Sequence, residues 1–131
     1  MSAALLLDTC VLLWLAADPD KLSARARDAI REHADSLFVS TITAFEIAIK
    51  ARKGRLELAL SPEAWYEKAL RHHGLAEISL DGAIAARAVE LPPLHNDPCD
   101  RFIIATALQH GMAVVTSDVL IAQYKQIKVV W

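Results

Sequence analysis

Residues 5–15 read LLLDTCVLLWL, and this stretch decides the fold. The apolar run Ala3–Leu7 stops at Asp8, and a second run, Val11–Ala17, follows it. The first has the length of a buried strand, Ala4–Leu7; the second reads as a helix to about Ala17. An acid set between two buried elements is costly unless it is paired or bound to a metal. Strand, acid and helix together form the unit with which the chain opens.

Short apolar runs and helical patterns alternate from there on. After the turn Asp18-Pro19-Asp20, Ser23 caps a helix to about Ala34, with Leu22, Ala26 and Ile30 at spacing four. Leu37–Val39 is a second strand; Ser40 or Thr41 caps the helix after it, and Gly54 sits where a glycine closes a helix. Ser61-Pro62 opens a helix that Gly74 ends. Ala76–Ser79 is a third strand, and Asp81 caps a helix to Glu90. Asp97-Pro98 opens another helix, ending at Gly111, and Met112–Val115 is a fourth strand. A short helix is expected over Val119–Lys125 and an edge strand over Lys128–Val130.

This alternation predicts an α/β fold: three layers, with a central parallel sheet of four to five strands flanked by helices. At 131 residues, one domain spanning 1–131 is expected, burying roughly 68% of its unfolded surface without a disulfide. The net charge of −2 does not mark a nucleic-acid binder, although bound cations would offset acids locally. Cys10 and Cys99 form neither a CxxC pair nor a zinc spacing, which favours a reduced, cytoplasmic setting. No signal peptide is read at the N-terminus, and the run Ala3–Ala17 is too short to span a membrane. A mean hydropathy of +0.28 hints at apolar surface kept for a partner, and wide apolar helix faces give the same value.

In parallel sheets, ligands collect outside the carboxyl ends of the strands. Asp8 and Asp118 fall at strand ends, Asp100 in the first turn of its helix, and Glu46 about one turn into the helix after the second strand. Each has an ordinary explanation as well. Asp8 and Asp118 suit helix caps, Asp100 suits a helix dipole, and Glu46 is placed to pair with Lys50. Glu46 lies at the border of a stripe read as Ile42, Phe45 and Ile49. Asp97 is read as a cap rather than a ligand. The ordinary explanations do not account for all four acids falling on one edge.

Such an all-carboxylate set selects Mg²⁺, with Mn²⁺ as substitute, over zinc. Without metal the acids repel one another and at least one pKa rises. No Ser-His-Asp set, Walker A motif or GxGxxG fingerprint is present, so metal-assisted phosphodiester hydrolysis is the reaction class that fits. Lys50, Arg52, Lys53 and Arg55 are the densest basic cluster, read as phosphate contacts or as a solvated helix end. His95 is near Asp100 in sequence, in reach of a substrate contact. His72-His73 reads as a surface pair, and Trp14, Trp65 and Trp131 as core or interface anchors.

Four segments carry a family resemblance: LLLDTCVLLWL (5–15), TITAFEIAIKARKGRLEL (41–58), LPPLHNDPCDRFIIATAL (91–108) and VVTSD (114–118). In order and spacing they resemble the PIN-domain proteins, and among these the VapC-type toxin ribonucleases of type II toxin–antitoxin systems. The DP-x-DR element at Asp97–Arg101 and the E-I-A-x-K element at Glu46–Lys50 are its most specific parts. The resemblance implies that Asp8, Glu46 and Asp100 are catalytic metal-binding acids and Asp118 a fourth, with Thr116 and Asp97 in support. It implies an RNA substrate, a homodimer and an antitoxin that blocks the cleft. Cys99 stands where a bulky apolar residue is usual, and Cys10 where a polar one is common.

The reading is therefore a Mg²⁺-dependent endoribonuclease toxin. The alternatives are a catalytically inactive PIN-like module that binds RNA or a partner, and a nuclease that processes RNA without toxicity. An aspartyl-phosphate enzyme is disfavoured: Asp8-Thr9-Cys10 lacks the second aspartate such an enzyme needs, and no lysine follows the fourth strand as a receiver domain requires.

Overall fold

The computed structural model describes residues 4–131. Five strands form one sheet: β1 (Leu5–Leu7), β2 (Leu37–Ser40), β3 (Ala76–Ile78), β4 (Ala113–Val115) and β5 (Val129–Val130). All pairings are parallel, in the order β3-β2-β1-β4-β5. Six helices accompany them: α1 (Thr9–Ala17), α2 (Ala24–Glu32), α3 (Thr41–Arg52), α4 (Pro62–His73), α5 (Gly82–Glu90) and α6 (Pro98–His110).

The pleat divides the core into two layers, because successive side chains on a strand point to opposite faces. Leu5, Leu7, Val39 and Val115 pack on one face with Val11, Leu12, Ile30 and Ile47, from α1, α2 and α3. Leu6 and Val114 pack on the other with Ile84, Ala88, Ile103 and Ile104, from α5 and α6. Trp14 and Trp131 meet at the border of the first cluster, ring centroids 5.7 Å apart. The three-layer α/β reading holds, and the sheet has five strands where four to five were expected.

The cap signals set the helix boundaries. The side chains of Asp8, Ser23, Ser40, Ser61, Asp81 and Asp97 each accept an amide from the first turn of their helix. Gly74 and Gly111 end α4 and α6 at φ 66° and 65°, where a side chain would strain the backbone. The expected helix over Val119–Lys125 does not form; a 3₁₀ turn, Ile121–Gln123, stands there. Asp118 Oδ1 accepts the Leu120 amide, and the Gln123 and Tyr124 amides reach back only three residues, which tightens the turn. No helix among the described residues is long and apolar enough to cross a membrane.

This strand order has a switch point. From β1 the chain builds outward to β2 and β3 on one side, and β4 and β5 fill the other. Leu7 pairs with Val115, so Asp8 and Thr116 leave the sheet side by side at the crevice where ligands bind in such folds.

Candidate active site

Asp8 follows the last residue of β1 and is buried at 6% exposure. Its Oδ1 accepts the Val11 amide at 2.8 Å, capping α1, and its Oδ2 accepts the Thr116 hydroxyl. Thr116 Oγ1 in turn accepts the Asp118 amide at 3.0 Å. One threonine at the end of β4 thereby fixes the acid after β1 and the acid two residues beyond itself.

Glu46 reaches the same edge from α3. Thr9 donates its hydroxyl to Glu46 Oε1 at 2.6 Å and lies 3.1 Å from the hydroxyl of buried Thr43. No Glu46–Lys50 ion pair forms among the described residues. The buried stripe of α3 is Ile42, Thr43 and Ile47, whereas Phe45 is 55% exposed. Thr43 lies on the inner face, where its hydroxyl meets Thr9, and Glu46 accepts Thr9 from the same side, while Phe45 points outward.

Asp100 lies in the first turn of α6 and Asp118 in the loop after β4, and His95 joins them. His95 Nε2 is 2.9 Å from Asp118 Oδ2 and 3.0 Å from Asp100 Oδ2. Its Nδ1 accepts the Asp97 amide at 3.1 Å, which puts the ring proton on Nε2. His95 is 7% exposed, and both ring nitrogens are engaged by the protein. The expected substrate contact therefore has no free polar atom to make it. Asp97 caps α6 through the Cys99 amide, as expected.

The charges of the four acids reach one another. Burial pushes Asp8 up to about 6 against the hydrogen bonds from Thr116 and Val11, with Glu46 and Asp118 adding repulsion. Burial, then the charges of Asp97 and Glu46, push Asp100 up to about 7. Burial raises Glu46 as well, against its bond from Thr9. Burial would also raise Asp118, but the hydrogen bonds from His95 and the Leu120 and Ile121 amides outweigh it and hold it low. Burial and the nearby acids raise both thiols, Cys99 to about 12, so neither is an activated nucleophile.

The donor set fits a hard divalent cation. It is made of carboxylate oxygens on one edge, held ionised only at a cost without a compensating charge. Among the described residues, Asp100 Oδ1 and Glu46 Oε2 take no protein hydrogen bond. Lys50, one turn beyond Glu46, is half-buried, and its charge lowers both Glu46 and Cys10. Arg52 and Lys53 are exposed at the end of α3.

Three parts of this arrangement escape a reading of residues alone. The Thr9–Thr43–Glu46 link joins two helices. Tyr124 accepts the His95 amide at 2.9 Å and donates to the Pro92 carbonyl at 2.7 Å. Arg101 donates to the carbonyls of Ala88, Val89, Leu91, Pro92 and His95. The one local signal for His95 is its place two residues before the cap Asp97; its partner Asp118 is 23 positions away.

The pattern of the PIN domain family matches residues 5–126. Over 114 residues, 86% of this chain and 85% of the relative, the sequence is 41% identical to Ribonuclease VapC22 of Mycobacterium tuberculosis (strain ATCC 25618 / H37Rv). The fold is shared with a DNA-bound VapBC from Salmonella typhimurium, at TM-score 0.69 and 18% identity, covering 97% of this chain and 96% of that one. A toxin–antitoxin complex from Klebsiella pneumoniae matches at TM-score 0.67 and 24% identity, covering 95% of each chain.

The raised acids set a pH dependence. In the metal-free fold Asp8 and Asp100 keep protons that the unfolded chain releases near pH 3.8, so stability falls as pH rises from about 4 to 7. Asp118 acts in the opposite sense and only below about pH 4, because its folded value is depressed. Asp8→Asn keeps the cap oxygen and removes the buried charge. In excess chelator at pH 7.5 it is expected to be more stable than wild type by roughly 1–3 kcal/mol, with a shallower pH slope. Urea unfolding across pH 4–8 measures both; an Asn variant less stable than wild type at pH 7.5 contradicts the assignment.

Proposed function

We propose, because this chain belongs to the PIN domain family, that it is a cytoplasmic, Mg²⁺-dependent endoribonuclease acting as the toxin of a toxin–antitoxin pair. The observation that carries this reading is the convergence of four acids from β1, α3, α6 and the loop after β4, two of them pushed up to about 6 and 7. Acids so placed serve a cation better than they serve the fold. The relatedness to a protein named a ribonuclease supports the substrate class.

Asp8, Glu46, Asp100 and Asp118 are the proposed catalytic and metal-holding acids. A bound Mg²⁺, or Mn²⁺ in its place, would supply Lewis acidity toward the phosphodiester and lower the pKa of water. The protein's part is to hold these acids in place. Thr116 fixes Asp8, Thr9 orients Glu46, and Asp97 starts the helix that carries Asp100. Lys50, at the edge of the acids, and the exposed Arg52 and Lys53 supply positive charge for the flanking RNA phosphates. Cleavage of total RNA in Mg²⁺, absent in EDTA, is the expected result. Asp8→Asn or Asp100→Asn is expected to lower it on the order of 100-fold or more, and wild-type cleavage by either variant sinks the assignment.

The antitoxin is the proposed partner, and a homodimer the proposed assembly. Between α3 and α4 runs a groove of about 560 Å³, lined by Ala44, Phe45, Ala48 and Leu70 and rimmed by Glu63, Glu67 and Glu77. Its apolar floor and acidic rim suit a partner segment with an apolar face and basic flanks. Expression alone is expected to arrest growth, and co-expression of the cognate antitoxin to relieve it. Harmless expression of an active nuclease would identify a processing enzyme instead.

A further inference from the structure

His95 lies among the acids without the features of a ligand. Its ring nitrogen Nδ1 has accepted the Asp97 amide, and Nε2 carries the proton toward Asp118. Neither nitrogen keeps a lone pair for a cation. Yet Nε2 is 2.9 Å from one carboxylate oxygen and 3.0 Å from another, on acids that come from different elements and repel each other. Ligand atoms of the three side chains all lie within 4.8 Å of one another.

The His95 backbone is anchored as well. The His95 amide donates to the Tyr124 hydroxyl, and the His95 carbonyl accepts Arg101 Nη1 at 3.0 Å. Arg101 also holds the Pro92 carbonyl, and Tyr124 is 1% exposed. Backbone and ring are thus anchored independently. Such locking is what lets an outer residue fix the geometry of an inner ligand.

Asp118 is engaged in a similar way. Its Oδ1 accepts the amides of Leu120 and Ile121, and its Oδ2 accepts His95. Asp100, by contrast, keeps Oδ1 free of protein hydrogen bonds among the described residues.

We propose that His95 is a positioning residue: braced against Asp118, it sets Asp100 for the divalent cation without ligating it. This rests on the metal-site reading above, and it adds a residue that the acid pattern does not contain. The ring, hydrogen-bonded to Asp118, stands 3.0 Å from Asp100 Oδ2 and fills the space on that side of the carboxylate, which leaves the remaining Asp100 oxygen for the ion.

Two substitutions separate this role from loop support. His95→Asn keeps an acceptor for the Asp97 amide but is too short to reach the acids. His95→Gln places an amide N–H near the position of Nε2. Mn²⁺ binding, followed by loss of the free-ion paramagnetic resonance signal, is expected to weaken about tenfold or more in His95→Asn. It is expected to stay within about threefold of wild type in His95→Gln, and pulsed resonance on the wild-type complex is expected to show no nitrogen bonded to Mn²⁺. Melting curves in EDTA establish that both variants fold. Unchanged Mn²⁺ affinity in His95→Asn, or a directly bound nitrogen in wild type, overturns the proposal. A wild-type chain that takes up no Mn²⁺ overturns it together with the metal reading.

Discussion

A carboxylate at the buried end of a central strand is the constraint around which this fold is arranged. Asp8 follows β1 directly, with strands on both sides of β1 and helices on both faces of the sheet. Little solvation reaches it there, so the protein supplies partners in its place. It does so with one amide from α1 and one hydroxyl from β4. The same strand order that buries Asp8 brings β4 beside it, so the cost and its partial remedy have one topological origin. The hydrogen bonds do not cancel the burial, and Asp8 remains at about 6.

Around that acid the polar scaffold is continuous. Thr9 and Thr43 connect α1 to α3 and aim Glu46; Thr116 connects Asp8 to the Asp118 amide; His95 connects Asp118 to Asp100. Behind His95, the planar guanidinium of Arg101 gathers carbonyls from the end of α5 and from the loop before α6. No buried side-chain nitrogen or oxygen among the described residues lacks a partner. A fully satisfied network of this kind holds geometry rather than adding much net stability. A cation bound between like charges so placed would relieve their repulsion.

The layers and the helix boundaries were legible because they depend on local chemistry. Alternating short apolar runs and helical stretches predict a parallel sheet, and cap residues such as Asp81 and Asp97-Pro98 mark helix starts by bonding their own first turns. The gathering of the acids followed from their positions at strand ends and first turns. What was not legible depends on residues far apart in sequence. Thr43 rather than Phe45 lies in the buried stripe, and its hydroxyl partner, Thr9, is 34 positions away. A turn at Ile121–Gln123 stands in place of the expected helix, and Asp118, which accepts the Leu120 amide there, is also tied to His95, 23 positions earlier. The His95 amide bonds to the hydroxyl of Tyr124, 29 positions later, and local spacing carries no sign of that contact.

The central claim is that the acids are held together for a divalent cation, and the stability of the wild-type chain reads it most directly. The melting temperature at pH 7.5 is measured in EDTA and in about millimolar Mg²⁺ or Mn²⁺. An ion that binds the folded state alone is predicted to raise it by several degrees, in proportion to the logarithm of ion concentration. An identical melting temperature in EDTA and in both ions would contradict the account.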